Sequence, residues 1–134
     1  MNTSFDKHWA IVDDDTIFQY SIGRLIRSVD PSIKITPYFD GNEFLAFLNS
    51  QNRDDLQLPS DVLMDINMPM MDAWSFLEEY EKLDLFKEKS FRLHLMTSSI
   101  STEDRKLYEE KDYLGHYLVK PINEEIIKTI LDKK

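Results

Sequence analysis

Trp9-Ala10-Ile11-Val12-Asp13-Asp14-Asp15 is a run of four apolar residues that ends in three aspartates. An unbroken apolar run this short suits a strand buried on both faces, as in a parallel sheet, better than a half-solvated hairpin strand. Three other runs repeat the arrangement. Val62-Leu63-Met64 ends at Asp65, the run from Leu93 to Met96 (interrupted by His94) ends at Thr97, and Tyr117-Leu118-Val119 ends at Lys120-Pro121. Residues 33–39 are a weaker, alternating fifth candidate.

The stretches between these runs have helical spacing. Phe18, Ile22, Leu25, Ile26 and Val29 fall at i, i+4, i+7, i+8 and i+11, and Ile122, Ile126, Ile127, Ile130 and Leu131 share one face of a last helix. Asn123 is the expected N-cap of that helix, with Glu124 and Glu125 in the first turn, where the helix dipole favours them. Phe44, Leu45, Phe47 and Leu48 mark a second helix, and Phe76, Leu77 and Tyr80 a third. Residues 101–112 have a capping-box-like Ser101…Asp104 but only Leu107 and Tyr108 as a core stripe, which predicts a loosely packed helix. Residues 49–60, polar and containing Pro59, read as a long surface loop. Five strand–helix alternations imply a doubly wound α/β fold, a parallel sheet with helices on both faces and right-handed crossovers. With no internal repeat and no linker in the pattern, residues 1–134 are expected to form one domain without an effector domain.

Composition narrows the function classes. A chain of 134 residues with 42% hydrophobic and 31% charged residues can bury a core without staples and is not of disordered type. The absence of cysteine removes disulfides, thiolate metal sites and a cysteine nucleophile, and fits a reducing compartment. A formal net charge of −9 repels phosphate backbones, so no direct nucleic-acid binding is expected. No window approaches the ~18 apolar residues of a membrane span, and residues 1–8 lack the apolar stretch of a signal peptide. A cytoplasmic location without membrane association is the expectation.

In an open parallel sheet, ligands bind beyond the carboxyl ends of the strands. The polar residues at those ends are Asp13, Asp14 and Asp15, then Asp65, then Thr97 and Ser98, then Lys120. Clustered carboxylates repel one another unless a cation or proton intervenes, and oxygen ligands without His or Cys favour Mg²⁺ or Ca²⁺. Lys120 adds a mobile point charge suited to a phosphoryl oxygen, and the hydroxyls add donors. A carboxylate nucleophile, a metal, a lysine and a hydroxyl together make a site for an aspartyl phosphate.

Four segments in this order resemble the receiver domain of two-component response regulators: Ile11-Val12-Asp13-Asp14-Asp15, then Met64-Asp65-Ile66-Asn67-Met68-Pro69-Met70-Met71-Asp72, then Met96-Thr97-Ser98, then Tyr117-Leu118-Val119-Lys120-Pro121. The resemblance spans essentially the whole chain. It implies a flavodoxin-like five-stranded sheet of order 2-1-3-4-5 and a phosphorylation-dependent signalling switch. Asp65 would be the phosphoacceptor. Mg²⁺ would be held by Asp13, Asp14, Asp65 and the backbone carbonyl of Asn67. Lys120 and Thr97 would bind the phosphoryl group, and Tyr117 would change rotamer as Thr97 moves. Asp15 matches a variable position and carries no ligand role. The implied partners are a sensor histidine kinase or histidine phosphotransfer protein and a downstream protein target. The implied output face combines residues 101–112, the Tyr117 strand and the last helix. Catalysis would be limited to the chain's own phosphorylation and dephosphorylation at Asp65. One departure stands out: Ala73 follows Asp72 where the family usually has Gly, and Ala disfavours positive φ, so the loop after Asp65 is expected to differ.

Three other functions compete. A haloacid-dehalogenase-type phosphatase would use Asp13 as nucleophile and Asp15 as acid/base. However, Ile17 stands where it wants Thr or Val, no acidic pair at a strand end follows Lys120, and Asp65 is left without a task. A pseudo-receiver that never takes phosphate would not need the full acidic set with Thr97 and Lys120. A flavodoxin-like cofactor binder wants a Gly- and hydroxyl-rich phosphate loop where this chain has three aspartates. His8, His94 and His116 lack metal-ligand spacing and read as structural or surface residues. Met68, Met70 and Met71 flank the site as gap fillers or adaptable contacts.

Overall fold

Alternation along each strand sorts its side chains into two separate cores. On β1 (Lys7–Val12), Trp9 and Ile11 face one way and Ala10 and Val12 the other. On β3 (Asp61–Asp65), Leu63 joins the first set and Val62 and Met64 the second. Both faces are covered, as the unbroken apolar runs require. The computed structural model describes residues 7–50, 58–88 and 90–132. The other strands are β2 (Ile33–Tyr38), β4 (Arg92–Thr97) and β5 (Tyr117–Val119). All pair in parallel, in the order β2-β1-β3-β4-β5, which makes β3 the central strand. This is the doubly wound, flavodoxin-like order expected.

The helices are α1 (Thr16–Val29), α2 (Gly41–Asn49), α3 (Ala73–Tyr80), α4 (Asp84–Lys87), α5 (Thr102–Glu109) and α6 (Glu124–Asp132). Helices α1 and α6 cover the Trp9 face through Ile22, Ile26, Ile127 and Ile130. Helices α2 and α3 cover the other face through Phe44, Leu48, Phe76, Leu77 and Tyr80. A train of rings runs across that second core: Tyr38–Phe44 at 5.0 Å, Phe44–Phe76 at 5.7 Å, Phe76–Tyr80 at 5.7 Å, Tyr80–Phe86 at 5.3 Å and Phe86–Tyr113 at 4.8 Å. Such pairs add about 0.5–1.5 kcal/mol each beyond their buried area.

Two local expectations change. The sequence implied five helices, and the described residues hold a sixth. The single turn α4 is anchored by buried Leu85 and by Phe86 in the aromatic train. Four residues are barely one helical turn, too few for a stripe to be read. Leu107, expected in the core stripe of α5, is 38% exposed, and no α5 residue is fully buried. Only Tyr108 packs inward, with its hydroxyl donating to the Gly115 carbonyl at 2.6 Å. The helix still forms because Ser101 caps it, accepting the Asp104 N–H at 3.2 Å. Asn123 caps α6 as expected, accepting the Ile126 N–H at 3.0 Å. Most of the loop expected at residues 49–60 lies outside the described residues. Among the described residues, no helix is long and apolar enough to cross a membrane.

Candidate functional site

Each polar strand end found in the sequence lies at the carboxyl edge of the sheet, and the register brings three of them together. Carboxylate oxygens of Asp13, Asp14 and Asp65 all lie within 4.8 Å of one another. Asp13 is 1% exposed and Asp65 is buried, whereas Asp14 faces solvent. Lys120 reaches across from the end of β5, placing Nζ 2.7 Å from Asp13 Oδ2 and 3.4 Å from Asp65 Oδ1. Its ammonium also lies 4.0 Å from the centre of the Phe18 ring. One apolar platform and two carboxylates therefore locate a side chain that is otherwise free to wander.

Burial pushes the Asp65 carboxyl up to about 6. Lys120 opposes that rise, and the charges of Asp13 and Asp14 add to it. Burial also pulls the Lys120 ammonium down, but hydrogen bonding and charge from Asp13, then Asp65, leave it above the ordinary lysine range. The site thus holds a carboxylate with a raised proton affinity beside a firmly charged lysine, the response of a crowded acidic cluster holding one cation.

Asp15 belongs to the fold rather than to the cluster. As N-cap of α1 its Oδ1 accepts the N–H groups of Ile17 at 2.9 Å and Phe18 at 3.1 Å. Asp13 Oδ1 accepts the Asp15 N–H at 2.9 Å, which fixes the turn between them.

Thr97 is buried and its hydroxyl is occupied, donating to the Ser99 carbonyl at 2.6 Å and accepting the Ser99 N–H at 3.2 Å. Ser98, also at this strand end, is exposed. Tyr117 lies opposite Leu95 in the β4–β5 register, so it shares a sheet face with Thr97, whose partner is Val119. Its ring stands 5.1 Å from Arg105 and 5.1 Å from Tyr108, and its buried hydroxyl has no hydrogen-bond partner among the described residues. Asn67 is exposed, two residues beyond Asp65.

The loop after Asp65 accommodates Ala73 without strain. Ala73 opens α3 behind the N-cap Asp72 and donates its N–H to the Ile66 carbonyl at 3.0 Å. The positive φ falls instead on Met70, at 72°, which is 92% exposed. The left-handed residue of this loop is therefore Met70, and Ala73 sits undistorted at the start of α3. Met68 is buried, a gap filler, while Met70 is a surface residue.

Three residues near the site carry roles that the sequence did not reveal. Phe18 read as the first position of the α1 core stripe, yet its ring supports Lys120. Trp74 donates its indole N–H to Asp104 at 2.9 Å, tying the first turn of α3 to that of α5. Gln19 is buried, with its amide facing three backbone carbonyls. All three depend on contacts with other elements, which leave no periodic mark in the sequence. His94, by contrast, is structural as expected, and lies at the opposite end of the sheet against Asp61.

No family model matches the chain. Among curated proteins it is 26% identical over 132 residues to the sensor histidine kinase CheAY of Helicobacter pylori, covering 98% of this chain and 15% of that protein. Among solved structures it is similar to a two-component response regulator from Cytophaga hutchinsonii, with 22% identity, a TM-score of 0.83 and 93% of each chain covered. A two-component response regulator from Legionella pneumophila aligns at 25% identity and TM-score 0.79, over 94% of this chain and 95% of that one. The Mn(2+)-bound form of response regulator Rcp1 aligns at 23% identity and TM-score 0.68, over 94% and 90%. Sheet order, size and these neighbours agree: the chain has the CheY-like receiver fold of two-component response regulators.

Proposed function

We propose that this chain is a phosphorylation-dependent signalling switch that accepts a phosphoryl group on Asp65 in the presence of Mg²⁺. One observation carries the reading: a carboxylate at the end of the central strand lies among two further carboxylates and a lysine, gathered from three separate segments of the chain. The residues suit a divalent cation. The donors are oxygen only, two of the three carboxylates are buried, and oxygens from all three lie within 4.8 Å of one another, close enough to share one cation. A fold neighbour holds Mn(2+). Asp13, Asp14, Asp65 and the Asn67 carbonyl would hold the ion. When bound, it supplies positive charge to the carboxylates and to the phosphoryl oxygens.

In the transfer, an Asp65 carboxylate oxygen attacks phosphorus and the bond from phosphorus to the donor's imidazole nitrogen breaks. The electron pair of that bond stays on the imidazole, which leaves neutral because its other ring nitrogen already carries a proton, and Asp65 becomes an acyl phosphate. Lys120 lies 3.4 Å from Asp65 and can follow the charge outward onto a phosphoryl oxygen. The donor is a sensor histidine kinase or phosphotransfer protein, so the chain works in the cytoplasm. Turnover is limited to its own phosphorylation and dephosphorylation, and the described chain acts as one domain on a protein target. Incubation with Mg²⁺ and a small phosphodonor, followed by mass mapping, tests the reading. A base-labile adduct on Asp65 is expected; an adduct on Asp13 would point to phosphatase chemistry instead.

The two metal-side aspartates should respond differently to removal. Asp13→Ala and Asp14→Ala are each expected to weaken Mg²⁺ binding by more than about tenfold. Asp14 is exposed and only adds repulsion, so its loss should leave the metal-free protein as stable or more so. Asp13 holds Lys120 and the Asp15 N–H, so its loss should destabilise. Mg²⁺ titration with parallel denaturant melts checks both, and unchanged metal affinity in both variants would refute the assignment.

Output follows from the bonds Thr97 must exchange. Binding a phosphoryl oxygen requires the Thr97 hydroxyl to leave the Ser99 backbone. Space then opens on the face shared with Tyr117, whose buried hydroxyl has no hydrogen-bond partner among the described residues. The new donors at Lys120 and Thr97 give the two states different contacts with the phosphoryl group, as a shift in population requires. Helix α5, with no fully buried residue, moves at low cost. Hydrogen exchange with a phosphoryl mimic should change protection at residues 101–112 and around Tyr117. Changes confined to residues 65–73 would refute this route.

A further inference from the structure

Gln19, the fourth residue of α1, is 9% exposed, and three backbone carbonyls converge on its side-chain amide. Its Nε2 stands 2.9 Å from the carbonyl oxygen of Ile11, 3.1 Å from that of Asp13 and 2.9 Å from that of Tyr38. An amide oxygen in that place would face three like dipoles, so the nitrogen belongs there. Two N–H groups serve three acceptors, so at least one hydrogen is shared.

We propose that Gln19 is a positioning residue for the Asp13–Asp14 turn, holding its backbone in the shape from which both carboxylates reach a divalent cation; the proposal rests on the reading of Asp13 and Asp14 as metal ligands. The paired register of β1 ends at Val12. Past it, the backbone at Asp13 keeps one strand-like bond, its N–H to the Tyr38 carbonyl at 2.9 Å. Gln19 adds a second restraint by gripping the carbonyls on both sides of Val12 and the same Tyr38 oxygen. The Asp13 carboxylate inherits this placement because its Oδ1 is tied to the Asp15 N–H. A neutral donor is the right choice beside three acids. A carboxylate there would repel the carbonyls and Asp13, and an ammonium would compete with the cation. Residues that orient ligands from behind change metal affinity by about 10–100-fold when removed.

The test titrates Mg²⁺ alone into the full chain, following the backbone amide NMR shifts of residues 13–15. Gln19→Met keeps the length and removes the donors. Gln19→Asn keeps the amide one methylene short, and serves where the Met variant fails to fold. Both are expected to bind Mg²⁺ about tenfold or more weakly, while Ile130→Val in the remote α6 core leaves affinity unchanged. In metal-free protein the Asp13 and Asp15 amides should exchange about tenfold faster than in wild type, with the Leu63 amide unaffected. Affinity within about threefold of wild type overturns the proposal and leaves Gln19 a fold element only. If wild type and Asp13→Ala respond alike to Mg²⁺, the metal reading itself has failed. The metal-free exchange then decides the positioning claim alone, and unaltered protection at Asp13 and Asp15 overturns it.

Discussion

Asp65→Asn is expected to abolish phosphoryl acceptance and, in metal-free protein at neutral pH, to raise stability. The first effect follows because an amide oxygen is too weak a nucleophile to form the acyl phosphate. The second follows from burial, which pushes the Asp65 carboxyl up to about 6 from 3.8. Between those values the folded protein holds more protons than the unfolded chain, so stability falls as pH rises through the window. Above pH 6 the carboxylate is charged in both states, and the full cost of the crowded site applies. The shift corresponds to roughly 1–3 kcal/mol. Asn carries no charge and escapes that cost, so the variant's advantage should be full near pH 7.5 and nearly gone near pH 3.8. Denaturant melts in EDTA at both pH values check this. A variant less stable than wild type at pH 7.5, or an advantage that does not shrink on acidification, would show that the carboxylate is not strained where it lies. Continued phosphorylation of the variant would remove Asp65 from the reaction.

Gly115→Ala should be the most damaging small change far from the site. A Cβ at Gly115 would collide with His94 Nδ1 and meet Cε1 at 2.6 Å, so the His94 ring would have to shift. His94 is fully buried; its Nδ1 accepts the His116 N–H at 2.9 Å. Nε2 therefore carries the proton and donates to Asp61 Oδ1 at 2.8 Å. Asp61 also takes Arg92 Nε at 2.7 Å. Burial raises the Asp61 carboxyl, but hydrogen bonds from His94 and Arg92 outweigh it and hold the group below the usual carboxylate range. Making room for a methyl group breaks at least one of these bonds as well as overpacking, and is expected to cost about 2–4 kcal/mol. In a His94→Ala background the same substitution should cost under about 1 kcal/mol, since the steric partner is gone. Equal costs in the two backgrounds would mean that the ring is not what Gly115 accommodates.

Much of the fold and most of the candidate site could be read directly because both rest on local pattern. Val62 to Asp65 reads as a strand ending in an acid whether or not its neighbours are known. Four such runs, each ending in a polar residue (two in Asp, one in Thr, one in Lys), imply one sheet edge crowded with those residues. Asp15 is similar: an acid ahead of a helical stripe is an N-cap, and the bonds to Ile17 and Phe18 are what that position makes. The weak stripe of residues 101–112 foretold a helix with little buried surface.

Other features were settled only when distant segments met. Gly115 drew no reading from the sequence, and no glycine among the described residues has positive φ; its reason is a histidine ring 21 residues earlier in the chain. Ala73 looked like a conformational problem, whereas the left-handed residue is Met70, because α3 starts at Ala73 and takes it into helical φ. The pairing of Trp74 with Asp104, the Phe18 platform beneath Lys120 and the three carbonyls around Gln19 join residues up to 102 apart in number. Periodicity reports which face of an element is buried, because burial recurs every two residues in a strand and every 3.6 in a helix. It does not report which atom of a neighbouring element lies against that face. Chemistry carried by strand ends was therefore legible from the sequence, and chemistry carried by contacts between elements was decided by the packing alone.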